Sequence, residues 1–212
     1  GISMTLFMIG YLTTTSFGVY YFKYIYGDEN MYSLFTIVLG VSQLSALVLS
    51  PLMSKRFNRN QLYTISTLLV VAGYVIFFFA PTHTMLFIGI AGVLMFVGQA
   101  IIQLLMLMFI TDTVEYGEYK FKRRNESVTL ALQTFIYKVG SAGASGMVGF
   151  ILLTSKMREA TLASDMTDSG IFIFKMGMMI VPLILIVIGF IIYKRKFISD
   201  EQYFKYLVEQ LQ

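Results

Sequence analysis

The stretch Ser127 to Thr154 is apolar and long enough to cross a bilayer, yet it carries a lysine, Lys138, near its middle. A helical span rises about 1.5 Å per residue and needs about 20 residues to cross a hydrocarbon core of about 30 Å. A charge at that depth costs on the order of 3 kcal/mol on insertion scales. The side chain must therefore face a water-filled cavity or a buried partner, not lipid. At about 100° per residue, Thr134, Lys138, Ser141 and Ser145 fall on one narrow face. Gly140, Ala142, Gly143, Ala144, Gly146 and Gly149 suit close approach of neighbouring helices. The pattern predicts a polar stripe on a tightly packed helix, housed by the rest of the chain.

Composition agrees with a membrane setting. Charged residues are 13% of the chain, about half the share of a soluble globule, and apolar residues are 57%. The net charge of +4 comes from basic residues confined to short connectors, which is the positive-inside pattern and not a nucleic-acid surface. With no cysteine and one histidine, disulfides, thiol nucleophiles and cysteine or histidine metal clusters are excluded. The opening Gly1-Ile2-Ser3-Met4 already enters a span, which suggests a fragment or one half of something longer.

Six spans follow from the apolar runs, at about 4–26, 32–53, 61–80, 85–111, 127–154 and 171–193. Every other connector is basic. Lys55, Arg56 and Arg59 follow span two; Lys120, Lys122, Arg123 and Arg124 follow span four; Lys194, Arg195 and Lys196 follow span six. The asymmetry predicts that these connectors and both ends of the segment are cytoplasmic. Residues 1–196 then form a six-helix transmembrane bundle, and 197–212 a cytoplasmic amphipathic helix. Ser199 and Gln202 would form a capping box at its start, with Phe204, Leu207, Val208 and Leu211 at helical spacing. Three spans plus three is also compatible with an inverted repeat.

Several polar residues are candidates for function. Asp112 and Glu115 share a helical face in the connector after span four, and Glu118 follows at the same interval before Arg123 and Arg124. At a membrane rim these groups read as gating ion pairs, not as a general acid and base. Gln99 and Gln103, one turn apart in span four, need partners or water, and the reading favours cavity lining. Span one carries Tyr11, a run of hydroxyl residues from Thr13 to Ser16, and Tyr20 and Tyr24. The two later tyrosines suit an interfacial aromatic belt, although Tyr20 is also a candidate sugar contact. His83 reads as a solvated loop residue. No catalytic motif such as His-Glu-x-x-His or Gly-x-Ser-x-Gly is present, so no enzyme is predicted.

The run from Asp112 through Glu115, Tyr116, Gly117, Glu118 and Lys120 continues through Arg124, Glu126 and Ser127 to Gln133, Thr134, Lys138, Gly140 and Ser141. It resembles the glycoside-pentoside-hexuronide:cation symporters of the major facilitator superfamily, the group of melibiose permease and the Gram-positive lactose and galactoside permeases. The resemblance implies an all-α integral membrane fold, with this chain as the C-terminal bundle of a twelve-helix transporter. It implies galactoside-type sugar bound between two bundles, with Lys138, Thr134 and Gln133 at the sugar. Gln103 falls where a sugar-stacking aromatic stands in melibiose permease, and the chain has no tryptophan. It implies no cofactor, only a coupling proton or sodium ion held mainly by the N-terminal bundle. The partners are then sugar, that bundle and the bilayer. The alternative is a major facilitator carrying a non-sugar ligand such as a lipid or an amphiphile.

Overall fold

The structure is a computed structural model describing the backbone of residues 1–121 and 126–209; within these, side chains are described except at 113, 115–121, 126, 129 and 197–209. Helices account for nearly all of it, and no strand occurs among the described residues. The helices are α1 (Ile2–Tyr20), α2 (Asn30–Ser54), α3 (Arg59–Phe79), α4 (Met85–Phe121), α5 (Glu126–Thr154), α6 (Asp168–Lys175) and α7 (Val181–Glu209). A π-helical segment, Tyr21–Tyr26, prolongs α1, and another, Met176–Ile180, joins α6 to α7 into the sixth span. Six helices among the described residues are long and apolar enough to cross a membrane.

Two sequence expectations change at the basic end of the bundle. The stretch after span four, predicted to be a connector from Asp112, stays helical as far as Phe121. Its residues include good helix formers, and their polarity marks exit from hydrocarbon, not the end of the helix. Likewise α7 runs through to Glu209 without a break, so Ser199 lies inside a helix and not at the start of a separate one.

The packing is symmetric in a specific way. α1 packs chiefly on α5 and α7, whereas α4 packs chiefly on α2 and α3. Exchanging spans one, two and three for four, five and six carries one set of contacts onto the other. Consecutive spans joined by short connectors alternate in direction, so the exchanged triplets run oppositely through the membrane. This is the arrangement of an inverted repeat. Small residues set the closeness. Gly73 of α3 lies against the backbone of Met95 and Ala91, and Gly98 of α4 lies against Ser66. On α5, Gly140 and Gly143 admit Met8 and Ile9 of α1, while Gly146 and Gly149 face open space.

A buried polar node joins four spans. The Thr14 hydroxyl lies 2.5 Å from the Tyr74 hydroxyl and 3.0 Å from the Met178 carbonyl, at a π segment. Gln99 Nε2 donates to the Tyr74 hydroxyl at 3.3 Å. Gln99 is 1% exposed, so it serves interhelical bonding and not the cavity lining the sequence suggested. Its place among α1, α3 and the sixth span explains the outcome, because α4 is enclosed on that side. Tyr74→Phe would leave the Gln99 amide without this acceptor in a dry interior. The expected loss is about 1–3 kcal/mol, read as a lower thermal midpoint in detergent. An unchanged midpoint would show that the node adds nothing to stability.

Candidate functional site

Burial distinguishes the spans. The share of each membrane-length window buried is 61% in α4 but 22% in both α2 and α5. The repeat relates α2 to α5, and both lie at the margin of the bundle. Apolar side chains left exposed on α2 can meet lipid or protein, but polar ones on α5 cannot meet lipid cheaply.

On α5, Gln133, Thr134, Lys138, Ser141 and Ser145 are all exposed, so the stripe expected from helical spacing forms and faces outward from the bundle. Lys138 lies eight residues into the span Leu130–Thr154, about 12 Å from its start. It has no ion-pair partner among the described residues. The Thr134 hydroxyl donates to its own helix at Leu130 O, 3.2 Å away, leaving its lone pairs free to accept.

Beside this stripe three other spans contribute polar groups. Gln43 Nε2 of α2 donates to the Tyr11 hydroxyl of α1 at 3.0 Å. Gln103 of α4 and Tyr137 of α5, next to Lys138, lie near the same hydroxyl. Tyr11, Gln43 and Gln103 are each half-buried. Tyr11 sits nine residues into its span, Gln43 thirteen into a 25-residue helix, and Lys138 eight into its own, so they lie at comparable depth. The cluster thus offers a phenol and two amides, all able to donate and accept, and Lys138 adds an ammonium donor at the same depth on the neighbouring exposed face of α5. No group of three His, Cys, Asp or Glu side chains suited to a metal ion occurs among the described residues.

Other predicted residues fall elsewhere. Tyr20 is half-buried, packed on the bundle core, and lies nine positions from Tyr11, about 13 Å along the axis. It does not join the cluster, and its packing suits the structural role as well as a sugar contact elsewhere on the face. Asp112 pairs with Arg59, tying the end of span four to the start of α3. Glu115 and Glu118 lie on the helical extension of α4, but their side chains, and Arg123 and Arg124 altogether, are outside the described residues. His83 is exposed, and its Nδ1 lies 3.1 Å from the Tyr26 carbonyl at the end of a π segment. Gln43 was not singled out from the sequence. A lone amide in the middle of an apolar span was the available signal.

Comparison with known proteins follows the same lines. Residues 2–200 match the model of a family described as MFS/sugar transport protein. The chain is 33% identical over 205 residues to a lactose permease of Lactobacillus delbrueckii subsp. bulgaricus, covering 96% of this chain and 32% of that one. It is 32% identical to the raffinose carrier protein of Pediococcus pentosaceus, covering 92% and 30%. A putative sulfoquinovose importer of Escherichia coli is 29% identical over 72% of the chain and 32% of its own length. The chain therefore spans about a third of the length of the curated relatives it matches. With six spans, a lysine-bearing polar face and this match across nearly its whole length, the chain belongs to the MFS/sugar transport family, among the glycoside-pentoside-hexuronide symporters of the major facilitator superfamily.

Proposed function

We propose that this chain is the C-terminal half of a cation-coupled symporter for galactoside-type sugars, working by alternating access in the cytoplasmic membrane. The observation that carries the reading is the exposed polar face of α5 with Lys138, Thr134 and Gln133, together with the half-buried Tyr11, Gln43 and Gln103 of the helices of the same bundle. Sugar hydroxyls both donate and accept, and amides, a phenol and an ammonium match that chemistry better than they match an apolar ligand. Two of the relatives are a lactose permease and a raffinose carrier, which supports galactosides as the substrate class.

A midspan ammonium needs a counter-charge, and no described carboxylate supplies it. In this reading an N-terminal six-helix bundle covers the face and brings the acidic groups that bind the coupling proton or sodium ion. The basic connectors lie on the cytoplasmic side, together with both ends of the segment. The Arg59–Asp112 pair then belongs to the cytoplasmic gate, with Glu115, Glu118, Arg123 and Arg124 as its further charges. Rocking of one bundle against the other would open the site to each side in turn.

The test is uptake of labelled lactose, melibiose and raffinose by cells expressing the full-length polypeptide, with and without a proton or a sodium gradient. Accumulation driven by one gradient is the expected outcome and identifies the ion. Absence of accumulation, with the protein verified in the membrane, would transfer the reading to a non-sugar amphiphile.

A further inference from the structure

The basic end of the bundle holds a cleft that the polar face does not use. It has a volume of about 330 Å³ and is lined by Phe57, Asn60, Gln61, Thr64 and Ile65 around the start of α3, and by Lys194 of α7. We propose that this cleft holds the headgroup of an anionic phospholipid, with an acyl chain lying along the seam of α3 and α7.

Charge complementarity favours that occupant. Lys55 and Arg56 immediately precede Phe57 and are exposed; Lys194 is followed by the exposed Arg195. The Lys194 ammonium lies 5.5 Å from the centre of the Phe190 ring, which keeps it on the cleft wall. The cleft also meets the N-terminus of a 21-residue helix, where the macrodipole attracts a phosphate. Asn58 and Gln61 already close a capping box there, which leaves the basic side chains as the main anion ligands. Each basic group near a membrane surface contributes on the order of 1 kcal/mol of attraction to anionic lipid.

The apolar surroundings decide between a lipid and a free phosphate. One turn deeper on the two helices stand Leu68, 64% exposed, and Ile191, 44% exposed. A soluble anion has no use for that surface, whereas an acyl chain covers it. The basic side chains call for a net negative headgroup, which phosphatidylglycerol supplies and zwitterionic phosphatidylcholine does not.

The experiment uses the full-length polypeptide purified in detergent, with lipid retention measured by native mass spectrometry against matched phosphatidylglycerol and phosphatidylcholine. At least tenfold preferential retention of phosphatidylglycerol is expected. Combining Lys55→Gln, Arg56→Gln and Lys194→Gln should reduce retention to the phosphatidylcholine level. Lys156→Gln with Arg158→Gln, a loss of two exposed charges in the loop after α5, should leave it unchanged. Ile65→Trp, which fills the cleft without removing charge, should also lower retention, and it decides the matter if the triple variant proves polydisperse. Equal retention of the two lipids, or wild-type retention by Ile65→Trp, would overturn the proposal. So would complete displacement of lipid by inorganic phosphate at the same concentration, which would mark a site for free anions.

Discussion

Replacing Lys138 by leucine is expected to abolish gradient-driven sugar accumulation while leaving the protein fully inserted in the membrane. Insertion should improve if anything, because the change removes a charge costing on the order of 3 kcal/mol near the middle of a span. The functional loss has a separate origin. A hydrogen bond from a charged donor is worth about 1.5–3 kcal/mol, and a factor of ten in affinity corresponds to about 1.4 kcal/mol. Loss of one such bond to sugar thus predicts roughly ten- to more than a hundredfold weaker binding. Lys138 also has no ion-pair partner among the described residues, so the substitution strands no described carboxylate. Lys138→Arg, which keeps the charge but alters the geometry, should retain sugar binding in part. Binding of a labelled galactoside to purified protein separates these effects from expression level. Normal accumulation by the leucine variant, at wild-type abundance, would remove Lys138 from the substrate site.

What the sequence made legible follows from what hydropathy measures. The crossing segments stand out because each must be apolar over about 20 residues regardless of its neighbours. The same signal is silent about azimuth in a helix that is apolar all round. Gln99 and Gln103 illustrate the limit: they are one turn apart and chemically identical. One lies buried against Tyr74, while the other is half-buried near the Tyr11 hydroxyl. Only the positions of α1 and α3 separate their roles. On α5 the polar stripe was legible because the lysine excluded lipid on that side, and Thr134, Ser141 and Ser145 shared its spacing. Gln43 escaped notice because a single amide in an apolar helix sets no period. The end of span four was misplaced for a related reason, since charge marks the membrane boundary and α4 continues beyond it to Phe121. The π segments left no sequence signal that hydropathy can detect, although one of them presents the carbonyl that accepts from Thr14.

Gly98→Leu is expected to prevent accumulation of folded protein, because α4 has no room there to yield. A Cβ at this position would lie 2.7 Å from the Ser66 carbonyl oxygen, 2.7 Å from Val70 Cγ2 and 3.2 Å from Leu69 Cβ. Two of these atoms belong to the β-branch or the backbone of α3, so rotamer changes cannot clear them. Separating α3 from α4 would also disturb Gly73, whose own Cβ position is 2.7 Å from Met95 N. Overpacking a filled core costs about 1–3 kcal/mol when side chains can adjust, and contact with backbone belongs at the upper end or beyond. The glycine-to-alanine pair makes the test sharper. Alanine gains about 0.8–1.0 kcal/mol over glycine in a helix interior, so propensity alone predicts that both Gly98→Ala and Gly40→Ala stabilise. Gly40 has nothing within 4 Å of its Cβ position and should follow propensity. Gly98 should go the other way, with a lower thermal midpoint for the alanine variant and little or no monodisperse protein for the leucine variant. If Gly98→Ala instead matches Gly40→Ala, the close approach of α3 and α4 is not what holds the two halves of the repeat together.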